Sequence, residues 1–166
     1  NIINFEAVFG MEEMKWSSIQ KDMMEYDVTM PYIRMMAGPV DYTPGAMRNA
    51  SKKDFKDIYY NPMSQGTRCH QLAAYVVHDS PLTMLADNPT IYKREQECTD
   101  FIISIPNKGI EETRVLQGKV GESIIMARRA GTSWYIGGMT DWTAREITLD
   151  FDFLDNGNYE VILFKD

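Results

Sequence analysis

The hydrophobic pattern of the chain changes near residue 104, and this change limits the folds that the sequence can adopt. Before it, segments of extended and helical character alternate, which is typical of α/β structure with parallel strands. After it, short segments of strand character follow one another between turn residues. We therefore predict α/β structure in residues 1–103, then an all-β domain, a small antiparallel sheet or sandwich, in residues 104–166. The stretch PNKG at residues 106–109 is the predicted linker.

Short strands are predicted throughout the second region. Residues 122–129 and 133–139 flank a glycine turn, and residues 146–154 alternate polar and apolar side chains as a half-buried antiparallel strand does. The dipeptide Asn156-Gly157 favours a tight hairpin between this last strand and residues 159–164.

Two extended segments are predicted in the first region. Residues 1–9 form a nearly continuous apolar run, which indicates a buried strand. Pro31 disfavours helix at the residue before it, so residues 28–37 are predicted to be extended as well. Residues 46–66 contain several chain breakers, and we expect a long loop there.

Two helices are predicted downstream of that loop. Thr67 is placed to cap a helix that continues to Ser80, and an apolar stripe follows it at helical spacing. Asn88 is a second capping residue, with Pro89 at the first helical position. His70, in the first turn of the earlier helix, is interpreted as a structural histidine.

The charge of the chain argues against one class of partner. Its 166 residues carry a formal net charge of −7, whereas a nucleic-acid surface requires clustered lysine and arginine. No apolar run approaches the roughly 18 residues that a membrane-spanning helix needs. Cys69 and Cys98 lie in different predicted helices without metal-ligand spacing, which favours thiols over a disulfide. We expect neither a nucleic-acid partner nor a membrane span.

Two carboxylates flank a glycine near the start of the chain. Glu6 lies in the first apolar run, and Glu12 follows Gly10 six positions after Glu6. At a strand end and a glycine turn, both side chains can face one cleft, as a general acid or a pair of metal ligands would. A strand that leaves its sheet into a solvated acidic loop explains the same residues. The spacing alone leaves both interpretations open.

Four stretches of the chain resemble one known family. They are NFEAVFGME at residues 4–12, PYIRMMAGPVDYTPG at residues 31–45, HQLAAYVV at residues 70–77 with SPL at residues 80–82, and GGMTDW at residues 137–142. Together they are similar to the C-terminal part of glycoside hydrolase family 97, the bacterial α-glucosidases and α-galactosidases. The resemblance implies that the first region is the last portion of a (β/α)8 barrel. The rest of the barrel and an N-terminal domain are expected upstream or on another chain.

The resemblance also implies an activity and roles for individual residues. Glu12 matches the general acid of the family, and Glu6 matches a carboxylate that helps to hold a calcium ion. The implied substrate is an oligosaccharide with a terminal α-linked glucose or galactose, and the implied location is the periplasm. The chain alone is expected to be inactive, because the second catalytic carboxylate would lie elsewhere. Family members often carry an aromatic residue in place of Glu13, so Glu13 remains an alternative for the acid.

Further candidates come from two other parts of the chain. Arg34 and Asp41 lie at or after the end of the second extended segment, where barrel enzymes place functional groups, so both are candidates to bind substrate. Asp41 could equally cap a turn through Thr43. Trp134 and Trp142 support a different hypothesis, a non-catalytic carbohydrate-binding or interaction module in which the two indoles form a platform.

Overall fold

The computed structural model of the chain describes residues 8–14 and 22–165. Its regular elements are, in chain order, the helices α1 (Met11–Met14) and α2 (Met23–Ile33), a 3-10 helix (Arg34–Ala37), the strands β1 (Asn49–Ala50) and β2 (Ser64–Gln65), the helices α3 (Arg68–Val77), α4 (Pro89–Arg94) and α5 (Gln96–Ser104), and the strands β3 (Glu112–Lys119), β4 (Ser123–Ala130) and β5 (Ser133–Thr140). The three long strands form one antiparallel sheet in the order β3-β4-β5.

The segment at residues 28–37 is helical, so the prediction of an extended segment there is wrong. Helix α2 continues to Ile33, and the 3-10 helix follows it directly. Asp22 caps α2, because its side chain accepts a hydrogen bond from the backbone N–H of Glu25 at 3.2 Å. The helix therefore begins well before the proline that was expected to impose extended backbone.

Pro31 is accommodated inside α2 because the Asp27 carbonyl, which proline deprives of its usual backbone donor, accepts a hydrogen bond from a side chain. In an α-helix the N–H of residue 31 would bond to the carbonyl of Asp27, and proline has no N–H. The ring Nε2 of His78 lies 3.2 Å from that Asp27 carbonyl oxygen. Since a carbonyl oxygen only accepts, Nε2 carries the proton. A contact between residues 51 positions apart thus overrides a local sequence rule.

The predicted starts of both capped helices are confirmed, but the second helical stretch is broken at Glu95 into α4 and α5. The Thr67 hydroxyl accepts a hydrogen bond from the His70 N–H at 3.2 Å at the start of α3. The Asn88 side chain does the same for the Ile91 N–H at 3.2 Å at the start of α4. Helix α3 ends at Val77, three residues before the predicted end.

The predicted strands at 122–129 and 133–139 are confirmed as β4 and β5. Strand β4 lies in the middle of the sheet, and its residues 124–128 are buried. Helix α3 packs closely on β5 at Gly137, where a Cβ atom would lie 2.8 Å from both the Ala73 carbonyl oxygen and the Val76 Cβ. Glycine at this position therefore sets the distance between α3 and the sheet.

One hydrophobic core crosses the linker between α5 and β3. Its buried members come from α2, the loop after the 3-10 helix, α3, β4 and β5, and they are Val28, Met30, Val40, Tyr42, Ala74, Val77, Ile124, Met126 and Met139. The helical region and the sheet are therefore packed as one unit in the described part of the chain.

The described residues do not form a portion of a barrel, contrary to expectation. Within residues 8–14 and 22–165, parallel pairing is limited to β1 and β2, which share two residue pairs. The rest of 46–66 is loop, as predicted. Most of the strand predicted at 1–9 lies outside the described residues.

The prediction of strands at 146–154 and 159–164 is wrong. Neither segment pairs with another strand in the described part of the chain. The first is held to the sheet by a side chain, since Gln117 Nε2 donates to the Thr148 carbonyl at 2.6 Å. Asn156-Gly157 lies in a bend of an irregular segment and not in a hairpin. Alternating polarity gives a segment two faces, but a strand also requires a neighbour for its backbone groups.

The structure also bears on the predictions about the cysteines and about a membrane-spanning helix. Cys69 and Cys98 are thiols and form no disulfide, as predicted. In the part of the chain that the structure describes, no helix has the length and apolar character needed to cross a membrane.

Candidate functional site

The segment that carries Glu12 is fixed to its surroundings from two directions. The N–H of Met11 donates to the Thr43 carbonyl at 3.1 Å, which ties the start of α1 to the loop after the 3-10 helix. The N–H of Phe9 donates to the Tyr26 hydroxyl at 2.8 Å, which ties the preceding residues to α2. The predicted acid therefore lies on a positioned segment and not on a solvated loop.

The carboxylate of Glu12 folds back over Gly10. A Cβ atom at Gly10 would collide with both carboxylate oxygens, so glycine makes the room that they occupy. Glu12 is half-buried, and its Oε2 is fully buried without a hydrogen-bond partner among the described residues. Glu13 is exposed instead. A buried carboxylate oxygen without a donor is costly and calls for an explanation.

Arg34 is the first residue of the 3-10 helix, and Asp41 lies in the loop after it. Arg34 is half-buried, and its Nη1 donates to the Gly38 carbonyl at 3.3 Å. Asp41 Oδ1 is buried without a partner in the described chain, and so is the Thr43 hydroxyl. The alternative in which Asp41 caps a turn through Thr43 is therefore not formed.

Two tyrosines connect these residues electrostatically. Burial raises the pKa of Tyr26, which is raised further by the carboxylate of Glu13 and lowered by the guanidinium of Arg34. Burial also raises the pKa of Tyr42 far above its usual value, and Glu12 is among the carboxylates that add to this effect. Both hydroxyls keep their protons at neutral pH.

A buried network beside the site was missed by sequence reasoning. Asp27 is 1% exposed, and its carboxylate accepts a hydrogen bond from the Tyr42 hydroxyl at 2.5 Å. The Nε2 of His70 lies 3.0 Å from the other carboxylate oxygen. His70 is structural, as interpreted. The sequence could have indicated this network only through the position of Asp27 between apolar residues of α2. That position does not identify Tyr42 and His70 as its partners.

His78 lies against the same network. Burial lowers its pKa to about 4, so the ring is neutral near pH 7. Its ring meets the Tyr42 ring edge to face, with centroids 4.5 Å apart. Because Nε2 donates to the Asp27 carbonyl, Nδ1 is an acceptor, and it is buried without a partner among the described residues.

Comparison with known proteins points to one family. The family model described as "Glycosyl-hydrolase 97 C-terminal, oligomerisation" matches residues 109–166. Over all of its 166 residues the chain is 55% identical to a retaining α-galactosidase from Bacteroides thetaiotaomicron. The chain belongs to glycoside hydrolase family 97. It matches the C-terminal part of that family, which confirms the resemblance inferred from the four sequence stretches.

Two other family 97 comparisons agree. A probable retaining α-galactosidase from Streptomyces bingchenggensis is 27% identical over 131 residues, or 79% of this chain. A solved family 97 enzyme from Pseudoalteromonas sp. strain K8, in complex with panose, has a TM-score of 0.64 and 33% identity over 80% of this chain. The chain spans 25% and 19% of the two curated relatives and 20% of the solved chain.

The calcium ion implied by family 97 does not find a complete set of ligands in the described residues. Calcium takes six to eight oxygen ligands. Within residues 8–14 and 22–165, no three histidine, cysteine, aspartate or glutamate side chains gather as a metal site. Glu6, the predicted ligand, lies outside the described residues. The described residues therefore do not complete a calcium site by themselves.

The two tryptophans do not form a shared platform. Trp134 packs edge to face on Phe153 with centroids 4.8 Å apart, and the guanidinium of Arg129 lies 5.9 Å from its ring centre. Trp142 Nε1 donates to Asp22 at 2.9 Å, at the cap of α2. Trp134 lies near the start of β5 and Trp142 lies two residues beyond its end, and the strand from Trp134 to Thr140 alone spans about 20 Å at roughly 3.3 Å per residue. One sugar ring cannot stack on both.

Proposed function

We propose that the chain is part of a family 97 glycosidase that hydrolyses a terminal α-linked galactose or glucose from oligosaccharides, with Glu12 as the general acid. The observation that carries this proposal is the buried Oε2 of Glu12, which has no partner in the described protein and lies on a positioned segment. A general acid must give its proton to the glycosidic oxygen. A carboxyl oxygen that no donor of the described residues occupies suits that task.

The chemistry follows from this assignment. Glu12 protonates the leaving oxygen, and the resulting carboxylate then takes a proton from the water that completes hydrolysis. The names of both curated relatives favour the retaining pathway. In that pathway a second carboxylate lies about 5–5.5 Å from the first and attacks the sugar, and it would come from outside the described residues. The 55% identical relative favours galactose over glucose.

Three further assignments belong to the proposal. Arg34 and Asp41 bind substrate hydroxyls, supported for Asp41 by a buried oxygen that has no partner among the described residues. Glu6 holds a calcium ion together with ligands from elsewhere in the enzyme, and this ion would stabilise negative charge and orient the site. The enzyme acts in the periplasm.

The two neighbouring glutamates provide a matched test in the full-length protein. We expect Glu12→Gln to lower kcat on an unactivated α-galactoside by about 100-fold or more. Glu13→Gln, in which an exposed carboxylate is lost, is the control and should retain most of the activity. The reverse result would move the acid to Glu13. Full activity in both variants would refute the assignment of the acid to this segment, and the ratio of rates on α-galactosides and α-glucosides decides the sugar.

A second role is supported for residues 109–166. The matching family model is described with the word oligomerisation. Val161, Ile162 and Leu163 are exposed by 79%, 75% and 74%, which is unusual for three consecutive apolar residues. We infer that this segment contributes to contacts between subunits. Ile162→Asp should lower the oligomeric mass measured by sedimentation, with the exposed Tyr60→Phe as control, and an unchanged mass would refute the role.

A further inference from the structure

A cavity of about 360 Å³ lies between the helical region and the sheet. The C-terminal end of α3, helix α5 and the linker after it form one side, and β4 and β5 form the other. Isoleucines supply an apolar wall: Ile102, Ile103, Ile105 and Ile110. Glu12, Arg34 and Asp41 are not among the lining residues. Ligand pockets occupy about 300–1,000 Å³, so the cavity suits a small ligand.

The charged groups of this cavity cancel one another. Arg128 is nearly buried, with 8% of its side chain exposed, and its Nη1 donates to Asp79 Oδ1 at 3.1 Å. Its Nη2 donates to the Val77 carbonyl at 3.3 Å. His78 is neutral near pH 7 because of its burial. An anion would meet the Asp79 carboxylate and a cation would meet Arg128, so the wall favours a neutral ligand.

Several polar groups of the wall have no partner in the described protein. At its solvent-exposed part, the second carboxylate oxygen of Asp79 (53% exposed), the exposed Asn107 side chain and the hydroxyl of the half-buried Tyr135 form no hydrogen bonds there. Deeper in the wall, Arg128 Nε and His78 Nδ1 are buried without partners. Asp79 and His78 Nδ1 offer acceptors, Arg128 Nε offers a donor, and the Tyr135 hydroxyl can do both. Hydroxyl groups, which donate and accept, match such a set.

We propose that this cavity binds a small neutral polyol of the size of a mono- or disaccharide. Its hydroxyls bond to Asp79, Tyr135 and Asn107, and its C–H face lies against the isoleucine wall. The Arg128 guanidinium holds Asp79 in place through its hydrogen bond to Oδ1. This binding site is separate from the residues assigned to hydrolysis, and it does not depend on the role of Glu12.

The isoleucine wall allows a direct test in the full-length protein. Isoleucine methyl groups are labelled with carbon-13, and their signals are followed during titration with galactose, with glucose and with inorganic phosphate as an anion probe. We expect the methyls of Ile103, Ile105 and Ile110 to shift saturably with at least one sugar, with a Kd in the roughly millimolar range, and not with phosphate. Ile162, which does not line the cavity, is the internal control and should not respond.

Two tyrosine variants complete the test. Tyr135→Phe removes a hydroxyl that has no protein partner among the described residues, so the fold is retained and sugar binding at these methyls weakens about three- to tenfold. Tyr60→Phe, at an exposed tyrosine, leaves binding unchanged. The proposal is overturned if neither sugar shifts the cavity methyls, if phosphate shifts them as strongly, or if Tyr135→Phe binds like the parent protein.

Discussion

Asp27 and Glu12 both influence the buried Tyr42, yet their carboxylates have opposite surroundings. Asp27 has a hydrogen-bond partner on each oxygen, Tyr42 and His70, in the middle of the core. Glu12 has a buried oxygen with no partner in the described chain. Buried polar groups are normally satisfied, and the exceptions require a reason. The first carboxylate belongs to the fold, and the second is the one to which we assign the role of general acid.

The largest expected difference concerns stability. Asp27→Ala leaves His70 and Tyr42 without their shared acceptor, and we expect it to lower the free energy of unfolding by about 3–5 kcal/mol. Glu12→Gln alters a carboxyl group whose buried Oε2 has no partner among the described residues, and it should not lower stability. Urea denaturation of both variants measures the difference. The comparison breaks down if Glu12→Gln costs as much as Asp27→Ala.

We expect the free energy of unfolding to depend on pH through His78, whose ring donates a hydrogen bond to the Asp27 carbonyl. Its folded pKa of about 4 lies below the usual 6.5, so the unfolded state binds more protons between these values. Stability is therefore full above pH 6.5 and falls by about 3 kcal/mol as the pH drops to 4. His78→Gln should flatten this part of the curve. Parallel curves for the two proteins would show that His78 is not the titrating group.

Removing one hydrogen bond tests the network more gently. Tyr42→Phe deletes the donor at 2.5 Å from Asp27 while it keeps the buried ring. A hydrogen bond to a charged group contributes about 1.5–3 kcal/mol, and we expect a loss of that size in thermal or chemical unfolding. The exposed Tyr60→Phe serves as control. An unchanged stability would mean that the Tyr42 hydroxyl is not a partner of Asp27.

The smallest effect is expected where α3 meets the sheet. Gly137→Ala places a methyl group 2.8 Å from two α3 atoms, which should cost about 1–3 kcal/mol by overpacking. Gly138→Ala is a matched control on the same strand, because its nearest contact is 3.4 Å from Ile125. Equal stability of the two variants would show that glycine does not set the spacing of α3, which carries His70.

Local signals were sufficient for part of the fold. The caps at Thr67 and Asn88 act within three residues, so both helices could be predicted from the sequence. Strands β4 and β5 are joined by a short glycine turn and pair with each other, so their pattern was also sufficient. In each case the partners lie close together in the chain.

Distant contacts explain the failures. Helix α2 contains Pro31 because His78 replaces the missing backbone donor at the Asp27 carbonyl. No residue near Pro31 in the sequence indicates this contact. The segment at 146–154 has the right alternation but no neighbouring strand in the described chain. At the site, sequence identified Glu12 through the family resemblance. The Glu12 oxygen that is buried without a partner among the described residues depends on the three-dimensional structure, and this feature could not be predicted.

The central claim, that Glu12 gives its proton to the leaving oxygen, is tested most directly by changing the leaving group. Full-length Glu12→Gln would be assayed on an α-galactoside with an alkyl or sugar leaving group and on one with an acidic phenol. The account predicts that kcat/KM falls by about 100-fold or more for the first substrate, which needs protonation, and far less for the second, which does not. Equal losses on both substrates would contradict the role of Glu12 as the general acid.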